Sequence, residues 1–453
     1  MWKETIISKT YESLFDGPHA TPKPATEGKI FLRIENITDD GHLDFSRITY
    51  ISEEEFPRWT KRVKPQENDI VFSYEATLGR YAIIPRNFDG CLGRRIALIR
   101  PDNNTAYFKF LYYYFFSNLW KEELNNYIIT GSTVDRIPLL KFPYFRIILP
   151  PLPIQRKIAA ILSAYDDLIE NNNRRIAILE KMAEELYREW FVRLRFPGHE
   201  KVKIVKGVPE GWEVKRIGDT IEYYIGGGWG EENQDINHVI GAYVIRGTDI
   251  PDLKSGRFKN PPFRFHKLST YETRAMEKGD IIFEVSGGSK GQLLGRTLLI
   301  TKGIYELCNG TLICASFCKL IRPSISSFFL NYYLQAYHNC GLVGTYQIQS
   351  TGISNYQFES FVKYQTIIVP PKPILNKFDS IVSTFISEKD ILSSKNLLLT
   401  SSRDRLLSRL MSGKIDVENL DIHFPQGMEV PSSPGPFSHR EKGRGRAKYE
   451  EES

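Results

Sequence analysis

Loops in both halves of the chain carry side chains that can hydrogen-bond to phosphate oxygens and to the edges of nucleic-acid bases. In the first half the candidates are His19, Lys23, Tyr74, Arg80, Ser132, Thr133 and Arg136. In the second half they are Trp229, Arg246, Ser289, Lys290, Gln292, Tyr346, Gln347, Gln349, Ser350 and Thr351. Lysine and arginine neutralise phosphates, whereas arginine, glutamine and hydroxyl groups can read base edges. An ordinary surface turn is the commoner role for any one of them, so their recurrence in both halves is what favours DNA recognition.

Motifs that would make the chain an enzyme are absent from its sequence. There is no glycine-rich loop ending in Gly-Lys-Ser or Gly-Lys-Thr that would cradle a nucleoside triphosphate. The histidines are scattered, with no pair at metal-ligand spacing. No serine or cysteine lies in the sharp strand–helix turn of a hydrolase nucleophile. The sequence therefore favours binding over catalysis.

One tetrapeptide, Asn-Pro-Pro-Phe at residues 260–263, matches the active-site loop of amino-methylating DNA methyltransferases. In those enzymes the loop follows a buried strand and holds a flipped-out base. Here residues 255–259 are polar, and the glycines at 226–228 lack the strand–turn–helix context of a Rossmann cofactor loop. We interpret the tetrapeptide as a proline turn, with a DNA adenine methyltransferase as the alternative function.

The cysteines indicate reduced thiols and no metal. Their number is five, which is odd, and a long chain with few cysteines is typical of the cytoplasm. Cys308, Cys314 and Cys318 lack the paired spacing of a zinc site. Alternating positions in residues 312–318 instead fit a strand that buries small thiols. We therefore predict that no metal is bound.

The chain contains the same unit twice. Residues 149–157 (Leu-Pro-Pro-Leu-Pro-Ile-Gln-Arg-Lys) return at 369–377 (Val-Pro-Pro-Lys-Pro-Ile-Leu-Asn-Lys), 220 positions later. Other landmarks keep nearly the same shift and pair 67–72 with 278–283, 77–80 with 293–296, 132–133 with 350–351, and Arg33 with Arg246. An ordered series of this kind indicates an internal duplication, and a duplicated unit predicts a target that also has two parts.

A long heptad pattern follows each copy of the repeated phrase. The first stripe consists of Ile158, Leu162, Tyr165, Ile169, Asn172, Ile176, Leu179 and Leu186. The second consists of Phe378, Phe385, Leu392, Leu399 and Leu406. Each stripe needs a partner helix, and the obvious partner is the other copy, with Asn172 helping to set the register. An oligomer formed through these helices is the alternative.

The predicted fold class is α+β, with two similar globular domains joined by two long helices that form an intramolecular antiparallel coiled coil. The predicted segments are a first globular domain (1–150), a central helix (151–195), a second globular domain (196–370, with a linker at 196–212), a C-terminal helix (371–415) and a disordered tail (424–453). Apolar runs at 30–34, 70–72 and 145–149 predict strands, and the aromatic stretch 107–119 predicts a helix packed into the core.

Composition sets further bounds. At 453 residues the chain is too long for a single core. No apolar stretch approaches the roughly 18 residues of a membrane span, and the first residues lack the apolar core of a signal peptide, so we predict no membrane association. The net charge of +6 permits a polyanionic partner without requiring one.

Residues 149–191 resemble the spacer helix of the specificity subunits of Type I restriction–modification systems. The matching run is Leu-Pro-Pro-Leu-Pro-Ile-Gln-Arg-Lys-Ile-Ala-Ala-Ile-Leu-Ser-Ala-Tyr-Asp-Asp-Leu-Ile-Glu-Asn-Asn-Asn, which continues to Leu-Tyr-Arg-Glu-Trp-Phe at 186–191. Residues 211–219 resemble the opening of a second target-recognition domain, and 410–417 the close of the second helix. The resemblance covers residues 1–420. One departure is Ile-Leu-Asn-Lys at 374–377, where the family favours glutamine in the second position.

The resemblance implies a non-catalytic subunit in which each target-recognition domain reads one half of a bipartite, asymmetric site on double-stranded DNA. The helices would set the gap between the halves, as dimer spacing does in other DNA-binding proteins. It also implies two modification subunits that use S-adenosylmethionine and a restriction (motor-nuclease) subunit that uses ATP and Mg, with no cofactor bound by this chain. A coiled-coil scaffold protein without DNA binding is a further alternative.

Overall fold

The computed structural model describes residues 2–131, 134–287, 292–349, 352–422 and 424. The chain divides into two compact units. Unit 1 contains the residues through Asp166 and those from Ser402 onward, and unit 2 contains Asp167–Ser401. Each long helix therefore contributes to both units.

The globular part of unit 1 has nine strands and three helices within the described residues. The strands are β1 (Lys3–Ile6), β2 (Tyr11–Asp16), β3 (Lys29–Leu32), β4 (Thr49–Ile51), β5 (Ile70–Ser73), β6 (Tyr81–Ile83), β7 (Gly90–Leu92), β8 (Ile96–Pro101) and β9 (Arg146–Leu149). The helices are α1 (Phe56–Trp59), α2 (Phe108–Phe116) and α3 (Asn118–Asn125). An antiparallel sheet has the order β2-β8-β5-β6, a second sheet has the order β4-β3-β7 with β3 parallel to β7, and β1 pairs with β9.

Aromatic side chains fill the core of unit 1. Helix α2 buries a run of them, including Tyr114 and Phe115, so the predicted core role of this stretch is confirmed. Trp120 of α3 is fully buried, and its indole Nε1 donates to the Tyr81 hydroxyl at 2.8 Å. A buried indole N–H needs such a partner, since an unmade hydrogen bond would cost about 1–3 kcal/mol.

Helix α4 (Leu152–Tyr187) begins directly after two prolines, because proline is tolerated at the start of a helix. It continues into a π-helical turn at Arg188–Val192. Its Gln155 is completely buried. The side-chain Oε1 accepts from Tyr107 N at 2.8 Å, and Nε2 donates to Thr105 O and Pro150 O at 3.1 and 2.8 Å. The matched position in the second copy is Leu375, which is also buried, so an apolar contact replaces the amide there.

Unit 2 repeats this architecture with additions. Its strands are β10 (Ile204–Val205), β11 (Val208–Pro209), β12 (Glu213–Arg216), β13 (Ile221–Gly226), β14 (Ile240–Ile245), β15 (Phe263–His266), β16 (Ile281–Glu284), β17 (Ser286–Gly287), β18 (Thr297–Leu299), β19 (Leu312–Cys314), β20 (Cys318–Pro323), β21 (Gln347–Gln349), β22 (Ser354–Tyr356) and β23 (Thr366–Val369). Its shorter helices are α5 (Ile250–Lys254), α6 (Leu268–Arg274), α7 (Lys302–Leu307), α8 (Ser327–Asn339) and α9 (Phe358–Tyr364). Helix α10 (Lys372–Met411) follows β23.

The sheets of the two units correspond strand by strand. In unit 2 the order β13-β20-β16-β18 matches β2-β8-β5-β6, the order β15-β14-β19 matches β4-β3-β7, and β12 pairs with β23 as β1 pairs with β9. The matched strands β5 and β16 begin at Ile70 and Ile281, within the segments paired from the sequence. The internal duplication is therefore confirmed.

A buried ion pair also occurs in both copies. Arg100 donates from Nε and Nη2 to the two carboxylate oxygens of Asp69 at 2.9 and 2.8 Å. Arg322 makes the same two-pronged contact with Asp280, at 2.9 Å for both bonds. Each carboxylate also accepts a backbone N–H at 2.7 Å, so its buried charge is fully satisfied.

The ends of the two long helices pack together in unit 1. Leu162 of α4 and Leu407, Leu410 and Met411 of α10 belong to one buried cluster. Beside this cluster the Arg403 guanidinium Nη1 lies 2.6 Å from Asp166 Oδ1. Contact between the start of one helix and the end of the other makes the packing antiparallel.

The helices pack antiparallel in unit 2 as well. Asn172 Nδ2 donates to Asn396 Oδ1 at 2.8 Å, and Lys389 Nζ lies 2.8 Å from Glu180 Oε2. Near the end of α4, Tyr187 contacts Phe378 of α10, with ring centroids 6.4 Å apart. Later residues of α4 thus contact earlier residues of α10.

The predicted heptad residues lie along these contacts, and none of them is exposed. Buried positions are Ile158, Leu162, Asn172, Ile176, Phe378 and Leu392. Half-buried positions are Tyr165, Ile169, Leu179, Leu186, Phe385, Leu399 and Leu406. The sequence missed the other half of the α10 seam, which has Leu375, Val382, Lys389, Asn396, Arg403 and Leu410 at seven-residue spacing. Three of these six are polar, so an apolar pattern does not reveal them.

The segment between the copies is ordered. It contains the β10–β11 hairpin, and Phe196 and Trp212 at its ends are buried against each other with ring centroids 4.9 Å apart. The predicted tail at 424–453 lies outside the described residues, except for Phe424. None of the helices in the described ranges combines the length and the apolar composition that a membrane span requires.

Candidate nucleic-acid interface

A cleft of about 660 Å³ opens in unit 1 beside the ends of β2 and β5. Three predicted side chains, His19, Tyr74 and Arg136, line it. Loop residues bring them together, because His19 follows β2, Tyr74 follows β5, and the backbone of Arg136 pairs with that of Glu75. The sequence thus identified residues that are more than 50 positions apart but share one surface.

Two carboxylates also belong to the unit 1 cleft. Asp16 accepts from Arg62 Nη1 at 2.5 Å and lies 3.1 Å from His19 Nε2. Glu75 lies 3.3 Å from Arg95 Nε. Neither acid was predicted from the sequence, because acidic side chains far apart along the chain give no signal of a shared site.

Tyr74 is the most buried of the predicted residues in this cleft, with 6% of its surface exposed. Its hydroxyl has no hydrogen-bond partner among the described residues. Burial raises the pKa of this hydroxyl to about 12, with smaller contributions from the negative charges of Asp16 and Glu75. The group therefore remains a neutral donor and acceptor at physiological pH.

A cleft of about 650 Å³ lies in unit 2 beside the ends of β13 and β16, and it overlaps the position of the unit 1 cleft at Trp229 and Ser286, which follow these strands as His19 and Glu75 follow β2 and β5. It is lined by the predicted residues Trp229, Arg246 and Gln292, together with the exposed aromatic Phe317. The Arg264 guanidinium lies 5.1 Å from the centre of the Trp229 ring, a cation–π distance that holds the indole in place.

Charged groups in the unit 2 cleft are largely paired with one another. Arg246 donates from Nε and Nη2 to Asp249 at 2.9 and 2.7 Å, and this contact raises the arginine pKa. Arg296 donates from Nε to Glu284 at 2.7 Å, with a second, shorter contact from Nη2. The large exposed apolar side chains of the cleft are Trp229, Phe317 and Ile353, at 42%, 60% and 46% exposure.

Other predicted residues lie outside the two clefts. Lys23 and Gln349 are exposed, and Tyr346 packs its ring on Tyr356 and Phe361. Arg80 donates from Nε to Asp39 at 2.6 Å. Gln347 accepts from Leu294 N at 3.0 Å through its side-chain oxygen. The DNA-binding roles of these residues stay predictions, and Ser132, Thr133, Ser289, Lys290, Ser350 and Thr351 lie outside the described residues.

The Asn-Pro-Pro-Phe tetrapeptide at 260–263 and the cysteines at 314 and 318 belong to a loop and to strands of unit 2. Residues 260–262 form a loop in which Asn260 has a φ of 42°, and Phe263 begins β15 after the loop, so no strand leads into it. Cys314 and Cys318 are buried as predicted, but the single strand expected over residues 312–318 is wrong: the chain forms two strands, β19 and β20, with a turn between them. Within the described ranges, no cluster of three metal-ligating side chains occurs.

Comparison with known proteins gives the family. A family model described as the Type I restriction modification DNA specificity domain matches residues 24–181. The Type I restriction enzyme MjaIX specificity subunit of Methanocaldococcus jannaschii is 31% identical over 322 residues, 69% of this chain and 70% of that protein. The chain belongs to the Type I restriction enzyme specificity subunits. This finding confirms the resemblance on which the sequence analysis relied.

Two further proteins are similar to this specificity subunit. The putative type I restriction enzyme MjaX specificity subunit of the same organism is 24% identical over 350 residues, 74% of this chain and 75% of that protein. The crystal structure of an S subunit from M. genitalium is 17% identical and has a TM-score of 0.47, with 90% of this chain and 96% of that chain covered.

Proposed function

We propose that this chain is the sequence-specific DNA-recognition subunit of a Type I restriction–modification complex, and that each globular domain reads one half of a bipartite, asymmetric site. The observation that carries the proposal is the pair of clefts. Each lies beside the ends of the same two matched strands, and each is lined by three of the side chains that the sequence singled out. A duplicated reader suits a target with two different halves.

The helix pair has two roles in this proposal. It sets the number of unread base pairs between the half-sites, and it docks two modification subunits. In unit 2 both helices expose large apolar side chains, which supports a protein-binding surface. These are Leu168, Ile178 and Met182 on α4, and Ile391 and Leu398 on α10, each at least 46% exposed.

Catalysis in this proposal belongs to the partner subunits in the cytoplasm. The modification subunits use S-adenosylmethionine, and the restriction subunit uses ATP and Mg. The chain alone should then fail to bind S-adenosylmethionine in equilibrium dialysis, whereas the complex with modification subunits should bind it. Binding by the chain alone would favour the methyltransferase alternative.

A domain exchange tests the proposal. Residues 1–150 would be replaced by the corresponding domain of a specificity subunit with a different target, and the complex expressed with its modification subunits. Methylation mapping of the host DNA should then show one changed half-site and one unchanged half-site. A change in both halves contradicts modular reading. Absence of DNA binding in a gel-shift assay of the intact complex would favour a scaffold protein.

A further inference from the structure

The two clefts share a backbone frame but differ in their side chains at matched positions. Tyr74 N donates to Arg95 O as Val285 N donates to Phe317 O, and Ile137 N donates to Tyr74 O as Tyr356 N donates to Val285 O. These bonds and the sheet registers define five matched positions in and around the clefts, and His19 and Trp229 make a sixth because each lies three residues after the end of its matched strand. Asp16, His19 and Tyr74 of unit 1 match Gly226, Trp229 and Val285 of unit 2, respectively. Glu75, Arg95 and Arg136 match Ser286, Phe317 and Asn355 in the same order.

The unit 1 cleft is suited to bind a group that donates hydrogen bonds. Ionised Asp16 and Glu75 are acceptors only, and each has more acceptor sites than its arginine neighbour uses. A backbone phosphate has no hydrogen to donate, so these two acids can bind a base edge but not the phosphates of the DNA backbone. In the major groove the donor groups are the exocyclic amines of cytosine and adenine.

The Tyr74 hydroxyl is a second, independent sign of a ligand in this cleft. It is buried at the cleft wall and has no partner among the described residues. A buried polar group without a partner is costly, and a bound polar edge would remove that cost. Unit 2 has Val285 at this position, which cannot make such a bond.

The unit 2 cleft is suited to an apolar group. Trp229, Phe317 and Ile353 line it, and each is at least 42% exposed. Its deepest charges, Arg296 and Glu284, bind each other through two contacts. The apolar group that a base presents in the major groove is the methyl of thymine.

We propose that the two domains read chemically different half-sites. The unit 1 cleft reads an exocyclic amino group through Asp16, Glu75 and Tyr74. The unit 2 cleft reads a thymine methyl through Trp229 and Phe317. This inference rests on the proposed function, and it requires at least one A·T pair in the half-site that the second domain reads.

The test uses the complex of the full chain with its modification subunits and a duplex carrying the mapped target. The domain exchange assigns each half-site to its domain. Base analogues are then placed in one half-site at a time, and affinity is measured by gel shift. Uracil in place of thymine removes the methyl, while purine in place of adenine and 2-pyrimidinone in place of cytosine each remove the amino group. The last two analogues distinguish the two sources of the amine.

We expect uracil to weaken binding about fourfold per methyl in the second half-site only, from about 0.8 kcal/mol per buried carbon. Loss of the amino group should weaken binding at least about fivefold in the first half-site, from roughly 1–3 kcal/mol per specific contact. In Trp229→Ala/Phe317→Ala the uracil effect should disappear while the amino effect stays. In Asp16→Ala/Glu75→Ala, which removes both acceptors, the amino effect should disappear while the uracil effect stays.

Folding of each variant is checked by its melting curve and by assembly with the modification subunits, and each variant serves as the control for the other. Equal sensitivity of both half-sites to both kinds of analogue would overturn the inference, as would a second half-site made of G·C pairs alone. Those outcomes leave the proposed function intact. Failure of the unmodified complex to bind any DNA would refute the proposed function itself.

Discussion

The buried pair Lys389–Glu180 is the sharpest place to test how the helix pair in unit 2 is stabilised. The Lys389 side chain is 7% exposed and lies 2.8 Å from Glu180, which is 15% exposed. At an effective dielectric constant near 20, their attraction is about 6 kcal/mol before desolvation is subtracted. Removing one member of a buried pair typically costs about 3–5 kcal/mol, because the other charge is left behind.

A neighbouring lysine changes the loss of unfolding free energy expected for Lys389→Met. Glu180 would keep a second cation, since Lys254 Nζ lies 3.6 Å away. We therefore expect a loss near the lower end, about 3 kcal/mol in the free energy of unfolding. The double variant Lys389→Met/Glu180→Met should return to within about 1 kcal/mol of the wild type, because Lys254 retains Glu184 at 3.0 Å and the new pair is apolar.

The assay is urea unfolding of the full chain, followed by the circular dichroism of its helices and analysed as a double-mutant cycle. The exposed pair Arg175–Glu388 joins the same two helices at 2.6 Å and provides the matched control. Its side chains are 50% and 39% exposed, so its coupling energy should not exceed about 1 kcal/mol. If the coupling between Lys389 and Glu180 is as small as that of the control, the reasoning about burial is refuted.

Three further predictions concern other parts of the structure. Asp280→Asn weakens the two-pronged contact with Arg322, which is 29% exposed and keeps Glu277 at 3.4 Å, so the unfolding free energy should fall by about 1–3 kcal/mol and the melting temperature with it; Arg322→Lys, which keeps the charge, should cost less. Gly303→Ala should lower stability by about 1–3 kcal/mol, because a Cβ there would lie 2.5 Å from Asp390 Cγ, and an unchanged melting curve would contradict this packing. At about pH 8, iodoacetamide should label the native chain only at Cys340, which is exposed, and mass spectrometry would show a second labelled site if this is wrong. The other cysteines are buried. Burial raises the thiol pKa of Cys91, Cys308 and Cys314 to about 12, and it raises that of Cys318 further.

Local pattern was enough to predict the architecture. Prolines and heptads depend only on nearby residues, so the sequence predicted both long helices and the polar position at Asn172. The duplication was predicted because the same motifs return in the same order in the second half of the chain. The aromatic helix was predicted because helical periodicity reflects burial directly. The turn that divides residues 312–318 into β19 and β20 was missed, because buried thiols occur in both strands and apolar residues alone do not mark the break.

The charged residues that lie between the two long helices could be identified only from the tertiary structure. Lys389 and Arg403 look like surface residues in the sequence and become seam residues only because Glu180 and Asp166 meet them from a distant helix. The pairing of Arg246 with Asp249 was equally invisible, because three-residue spacing does not reveal which side chains turn toward each other.

The amino-acid sequence alone established that the chain has two copies of one domain and which loops carry its polar side chains. Only the fold decided that these loops meet in two clefts, with Asp16 and Glu75 in one and Phe317 in the other. The physical reason is that a cleft is formed by segments brought together through sheet pairing and core packing. Its chemistry therefore depends on contacts between residues that are far apart along the chain.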